Sequence, residues 1–124
     1  MPMAYRIDEA RGWVLTTATG ILTDDDILDL KAQLLADSRW SPGMHELADV
    51  RGIDRLDVTT AGVRRMAGQD GAHPALGAYR LAIVAPQDDV FGMASMYQML
   101  TEQAVPGVMV FRDLDEAAVW LEAS

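Results

Sequence analysis

The sequence predicts an α/β fold in the order β-β-α-β-α-β-α-β-α: a mixed sheet with parallel later strands, an antiparallel N-terminal hairpin and helices packed on the sheet. Three observations carry this. Segments of strand character alternate with segments of helical periodicity across short connections, the pattern of parallel strands joined by right-handed crossovers. Tyr79 to Ala85 is an apolar run of the kind a strand shows when both faces of its sheet are covered. The 124 residues, half of them apolar and none of them cysteine, suit one domain with a single core and no disulfide.

Each element has its own local signal. Met3 to Asp8 and Gly12 to Thr19 alternate polar and apolar residues, and Glu9-Ala10-Arg11-Gly12 between them places a glycine where a hairpin needs positive φ. Gly20 is expected to end the second strand. Thr23 ahead of Asp24, Asp25 and Asp26 reads as an N-cap with acids in the first helical turn, where the helix dipole favours negative charge. That helix extends toward Asp37, with Ile27, Leu28, Leu30, Leu34 and Leu35 in one arc and Asp25, Asp29 and Gln33 opposite. Lys31 falls inside the apolar arc.

Ser41-Pro42-Gly43 is a turn, and Met44 to Val50 is a short strand that gives way to a loop at Arg51-Gly52. Asp57-Val58-Thr59-Thr60 offers caps to a short helix through Val63, Met66 and Ala67, which Gly68 stops. Gln69 to Gly77 carries no period and is expected to be the least structured stretch. Pro86 closes the strand that begins at Tyr79, and Asp88 and Asp89 cap a helix from Val90 to Gln103. Pro106-Gly107 turns the chain into a last strand, Val108 to Phe111. Asp113 with Glu116 then forms a capping-box start for a terminal helix through Ala117, Trp120 and Leu121.

Charge and composition narrow the function classes. Ten basic residues stand against 19 acidic ones, a net charge of −9, which opposes general binding to nucleic acid or to an anionic membrane surface. No apolar run approaches the length of a membrane span, and the first residues lack the apolar core of a signal peptide, so a cytoplasmic location is expected. The acids at Asp24–Asp26, Asp88–Asp89 and Asp113–Glu116 fall at predicted helix starts, where they serve caps and dipoles.

Three strings resemble a known family. They are Leu47-Ala-Asp-Val-Arg-Gly-Ile-Asp54 with Asp57-Val-Thr-Thr-Ala-Gly62, Phe91-Gly-Met-Ala-Ser-Met-Tyr-Gln-Met-Leu100, and Val110-Phe-Arg-Asp-Leu-Asp-Glu-Ala-Ala-Val-Trp-Leu121. Together with the element order they are similar to the SpoIIAA-like fold. That fold is shared by the STAS domains of anti-sigma-factor antagonists and sulfate transporters and by small stand-alone STAS-like bacterial proteins, and it is related to CRAL-TRIO lipid carriers. The resemblance implies a non-enzymatic regulatory or protein-interaction module, expected as a homodimer. It also implies an alternative, a carrier of a small amphipathic or anionic ligand. Antagonist domains carry an Asp-Ser-Ser-Gly signature whose serine is phosphorylated at a helix start. Here Asp57-Val58-Thr59-Thr60 stands in its place, so Thr59 and Thr60 are the candidates for a phosphoryl group or a bound anion, beside their ordinary use as a cap.

The residues themselves add further candidates. Arg51, Arg55, Arg64 and Arg65 form a basic island, either a seat for an anionic ligand or acidic partner or a set of local pairs with Asp49, Asp54 and Asp57. In the third helix Val90, Met93, Ala94, Tyr97 and Leu100 make one face, while Phe91, Gly92, Ser95 and Met99 give the opposite side small or apolar residues, which suits a subunit interface or the wall of a ligand pocket. Lys31 reads either as a buried amine or as a side chain whose stem lies along the sheet while its ammonium reaches water. Arg51, Gln87 and Arg112 should emerge at the carboxyl ends of the parallel strands, where α/β folds place their sites. His45 and His73 have no partner at metal-ligand spacing, and the serines lack a nucleophile-elbow context, so neither a metal, nor a cofactor, nor a catalytic set is expected.

Overall fold

The N-terminal hairpin pairs β1 (Met3–Asp8) with β2 (Trp13–Thr23) in antiparallel register, from Asp8 opposite Trp13 to Met3 opposite Ala18. Gly12 makes the turn at φ 70°, as expected. In this computed structural model, which describes residues 2–123 and leaves Met1 and Ser124 outside, β2 continues as the parallel neighbour of β3 (His45–Asp57). The sheet goes on through β4 (Arg80–Val84) to β5 (Val108–Phe111) in the order β1-β2-β3-β4-β5, with every pair after the hairpin parallel.

Two strands are longer than their sequence suggests. Gly20 does not end β2. It takes φ 70° within the strand, where the register to β3 shifts between Gly20 and Ile21, so this glycine accommodates a bulge rather than a stop. Likewise β3 does not end at Val50. Gly52 lets it pass so close to β2 that a Cβ there would lie 3.1 Å from the Ala18 carbonyl oxygen. Because β4 pairs only with His45–Asp49, the segment from Arg51 to Asp57 runs on beside β2 alone.

Helix α1 (Asp24–Ala36) begins with a capping box: the Thr23 hydroxyl accepts from the Asp26 amide, and the Asp26 carboxylate accepts from the Thr23 amide. Helix α2 (Thr60–Gly71) passes through Gly68, and the segment expected to lack structure holds the end of α2 and a 3-10 turn at Pro74–Leu76 with Leu76 buried. Helix α3 (Asp88–Thr101) starts at Gln87, whose side chain makes no cap bond; Asp89 accepts from the Val90 amide, and Asp88 pairs with Arg112 instead. In α4 (Leu114–Glu122) the Asp113 side chain caps the Glu116 amide.

Strand alternation sorts the core into two layers. On one face, Val14, Ala18, Ala48 and Leu81 turn toward α1, α2 and α3. On the other, Trp13, Leu47, Ala82 and Val84 pack against Ala117 and Leu121 of α4. Three helices therefore cover one face and one covers the other. Thr16 and Glu46 lie on the three-helix face, in the same rows as Ala18 and Ala48.

Candidate functional site

The three-helix layer does not close completely on the sheet. Between them lies a cavity of about 140 Å3, roofed by Ile27 and Leu28 of α1, Met66 of α2 and Met93 of α3, and floored by Ala48 and Ile83 of the sheet. Small side chains, Ala48 below and Ala94 above, face the space. Most of its wall is aliphatic or thioether.

A cluster of polar side chains from five elements reaches the same cavity: Thr16, Lys31, Glu46, Gln69, Asp70 and Tyr97. Glu46 is 4% exposed, placed inward because β3 alternates and its neighbours on that row are Met44 and Ala48. Its two carboxylate oxygens accept one hydroxyl each, Thr16 at 2.9 Å and Tyr79 at 2.8 Å. Asp70, 6% exposed, sits on the inner row of α2 with Val63, Met66 and Ala67. It accepts a short hydrogen bond from the Tyr97 hydroxyl and faces the Lys31 ammonium at 3.9 Å. Lys31 also lies 5.8 Å from the Tyr79 ring centroid. Burial, then the charge of Glu46, pushes the Tyr79 phenol well above its ordinary range; burial and the charge of Asp70 do the same to Tyr97. Both phenols therefore stay protonated and keep donating.

The sequence candidates are distributed differently. Lys31 does not lead its ammonium out to water: its side chain is 18% exposed and is drawn inward by Asp70. Thr59 is the N-cap of α2, its hydroxyl accepting from the Gly62 amide. That helix start already holds an anion belonging to the chain, because the Asp24 carboxylate accepts from the Thr59 amide at 2.9 Å and the Thr59 hydroxyl at 2.6 Å. Asp24 thus bridges α1 to α2 rather than serving its own helix, and a second anion at Thr59 would have to displace it. Thr60, the first residue of α2, is exposed.

Within the arginine island, Arg51 pairs with Asp49 at 2.8 Å, which holds the Asp49 carboxyl below its usual range, and Arg55 pairs with Asp57 at 3.2 Å. Arg64 and Arg65 stand on the exposed side of α2. Gln87 and Arg112 emerge beyond the carboxyl ends of β4 and β5, whereas Arg51, expected beside them, lies within β3 because that strand runs on to Asp57. The Gln87 side-chain amide donates to the Arg51 and Ile53 carbonyls, and Arg112 donates to the Pro86 carbonyl and pairs with Asp88 at 2.7 Å.

On α3 the cavity wall is the opposite side from the one proposed. Val90, Met93, Ala94 and Tyr97 line it, whereas Phe91 lies under the Arg112 guanidinium, Gly92 and Met99 are exposed, and Ser95 is half-buried. Glu46, Asp70 and Tyr97 as polar participants were missed. The available signal was positional: Glu46 interrupts an inward row of a strand, and Asp70 falls seven residues after Val63 on one helical face.

Across 96% of this chain and 93% of the other, the structure is similar to that of an uncharacterized protein of the DUF3478 family from Shewanella loihica, described as having a SpoIIAA-like fold, with a TM-score of 0.59 and 20% identity. The fold is SpoIIAA-like. No family model matches the sequence, and no curated protein does. Within this SpoIIAA-like fold no helix among the described residues is long and apolar enough to cross a membrane. Among the same residues no group of three or more His, Asp or Glu is arranged to hold a metal ion.

Proposed function

We propose that this SpoIIAA-like chain is a binding module for a small amphipathic molecule, which it holds between the sheet and helices α1 to α3 without transforming it. The observation that carries the reading is the cavity itself, apolar over most of its wall and lined also by a few buried polar side chains, the general form of a small-molecule site. Its size favours a small ligand. A protein cavity of roughly 150 Å3 accommodates one benzene ring, so about 140 Å3 suits a single ring or a short chain bearing one polar head.

Native mass spectrometry of freshly purified protein, joined to thermal unfolding with benzyl alcohol as a probe, tests this. The expected result is retained ligand mass or a melting temperature raised by benzyl alcohol, with both effects lost in Ala94→Leu, which fills the space. A bare chain mass together with no response to benzyl alcohol overturns the proposal.

A second reading, an interaction module that pairs with another copy of itself, has its own supporting observation. Met99 is 73% exposed, and Leu100 and Met109 are 46% and 38% exposed, around the end of α3 and the edge strand β5. Exposed methionines adapt to varied apolar partners. Met99 lies on the side of α3 opposite the cavity wall, so the two readings are compatible.

A further inference from the structure

We propose that the polar head of the bound molecule is a primary ammonium group, received by Glu46 and Asp70. This rests on the reading of the cavity as a ligand site and specifies its chemistry. The polar end holds two carboxylates, both at least nine-tenths buried, and one ammonium, Lys31. Lys31 faces Asp70. Glu46 has only the hydroxyls of Thr16 and Tyr79, and no cationic nitrogen among the described residues lies within 4.0 Å of it. One negative charge is left without a counter-ion in an apolar enclosure, where an unpaired charge is costly.

The acceptor inventory agrees. Each Glu46 oxygen accepts a single hydrogen bond, and a carboxylate has about four acceptor sites, so lone pairs remain for a donor arriving from the cavity. Asp70 has the same property, since its Tyr97 and Lys31 contacts both fall on Oδ2. An ammonium brings three donors and one positive charge, giving two carboxylates two cations. A carboxylate or phosphate head would bring a third or further negative charge beside Glu46 and Asp70, with only Lys31 to offset it. A hydroxyl head satisfies lone pairs and leaves the charge unbalanced.

Isothermal titration near neutral pH with benzylamine, benzyl alcohol and benzoate separates these cases, since the ring is common and only the head differs. Benzylamine is expected to bind about tenfold or more tightly than benzyl alcohol, the scale of a charge-assisted over a neutral hydrogen bond, and benzoate weakest. Glu46→Gln should remove the amine preference while keeping benzyl alcohol binding. Lys31→Met, which deletes the resident cation and leaves the Glu46 contacts untouched, should tighten benzylamine binding and keeps the test decisive if the glutamine variant does not fold. Equal binding of amine and alcohol overturns the ammonium assignment while leaving the cavity reading intact. Preferential benzoate binding that disappears in Lys31→Met overturns it in favour of an anionic head read by Lys31. Failure of all three probes on a chain whose native mass shows no retained ligand overturns the cavity reading as well.

Discussion

Replacing Gly62 with alanine measures the bridge between α1 and α2. At an unconstrained helical position this change stabilises by up to about 1 kcal/mol, because alanine has less backbone freedom to lose. At Gly62, however, an added Cβ would lie under 3.0 Å from the carboxyl carbon and both oxygens of Asp24, so the carboxylate has to leave. Leaving costs it the Thr59 amide and the Thr59 hydroxyl, at 2.9 and 2.6 Å. Hydrogen bonds to a charged group contribute about 1.5–3 kcal/mol when shielded. Thr59 is exposed, and water replaces part of what is lost, which leaves about 1 kcal/mol for each bond. The loss of about 2 kcal/mol exceeds the propensity gain, and Gly62→Ala should destabilise the chain by about 1 kcal/mol in urea unfolding followed by circular dichroism. In an Asp24→Ala background the obstacle is gone and the same substitution should stabilise, so the sign reverses. Gly62→Ala that stabilises the parent chain, or that keeps one sign in both backgrounds, refutes the reasoning.

Two further outcomes follow from the buried phenols and the exposed methionine. Because Tyr79 and Tyr97 titrate above their ordinary value near 10 when folded, their contribution is fully present below that pH. As pH rises past it, the unfolded chain binds fewer protons than the folded one, and stability should fall by up to about 1.4 kcal/mol per pH unit per tyrosine. Urea midpoints measured across about pH 9 to 11 check this, with Tyr79→Phe expected to flatten the slope and an unchanged slope counting against it. For the surface, Met99→Asp should shift the particle toward monomer in sedimentation if the Met99–Leu100 patch joins two copies; an identical mass for both proteins removes that interface.

Local chemistry made most of the fold readable. The caps Thr23, Thr59 and Asp113 and the Gly12 turn are short-range devices, and each sits where its string implies. The strand lengths were not readable, since Gly20 and Gly52 look like breakers in a linear sequence. Their actual use, a bulge and a close backbone approach, depends on how β2 and β3 pair across the whole of α1. The same holds for α2. Gly68 lowers helix propensity, but Val63, Met66 and Asp70 are anchored from outside the helix, and tertiary packing carries it through to Gly71.

The polar cluster was hidden for a related reason: no two of its interacting members come from the same element. Lys31 on its own helix is an amine in an apolar arc, and only the fold brings Asp70 to it; Glu46 in its own strand is one acid among many, and only the fold adds the hydroxyls of Thr16 and Tyr79. Once assembled, the cluster is a poor way to gain stability. Buried ionic groups are often replaced by apolar residues of similar volume with neutral or favourable effect, because desolvation offsets their attraction. Two inward carboxylates held by three hydroxyls and one ammonium therefore call for a reason other than holding the sheet to its helices. Both carboxylates line the apolar cavity, and the proposed cationic head accounts for them there, since it would balance a charge that burial makes costly.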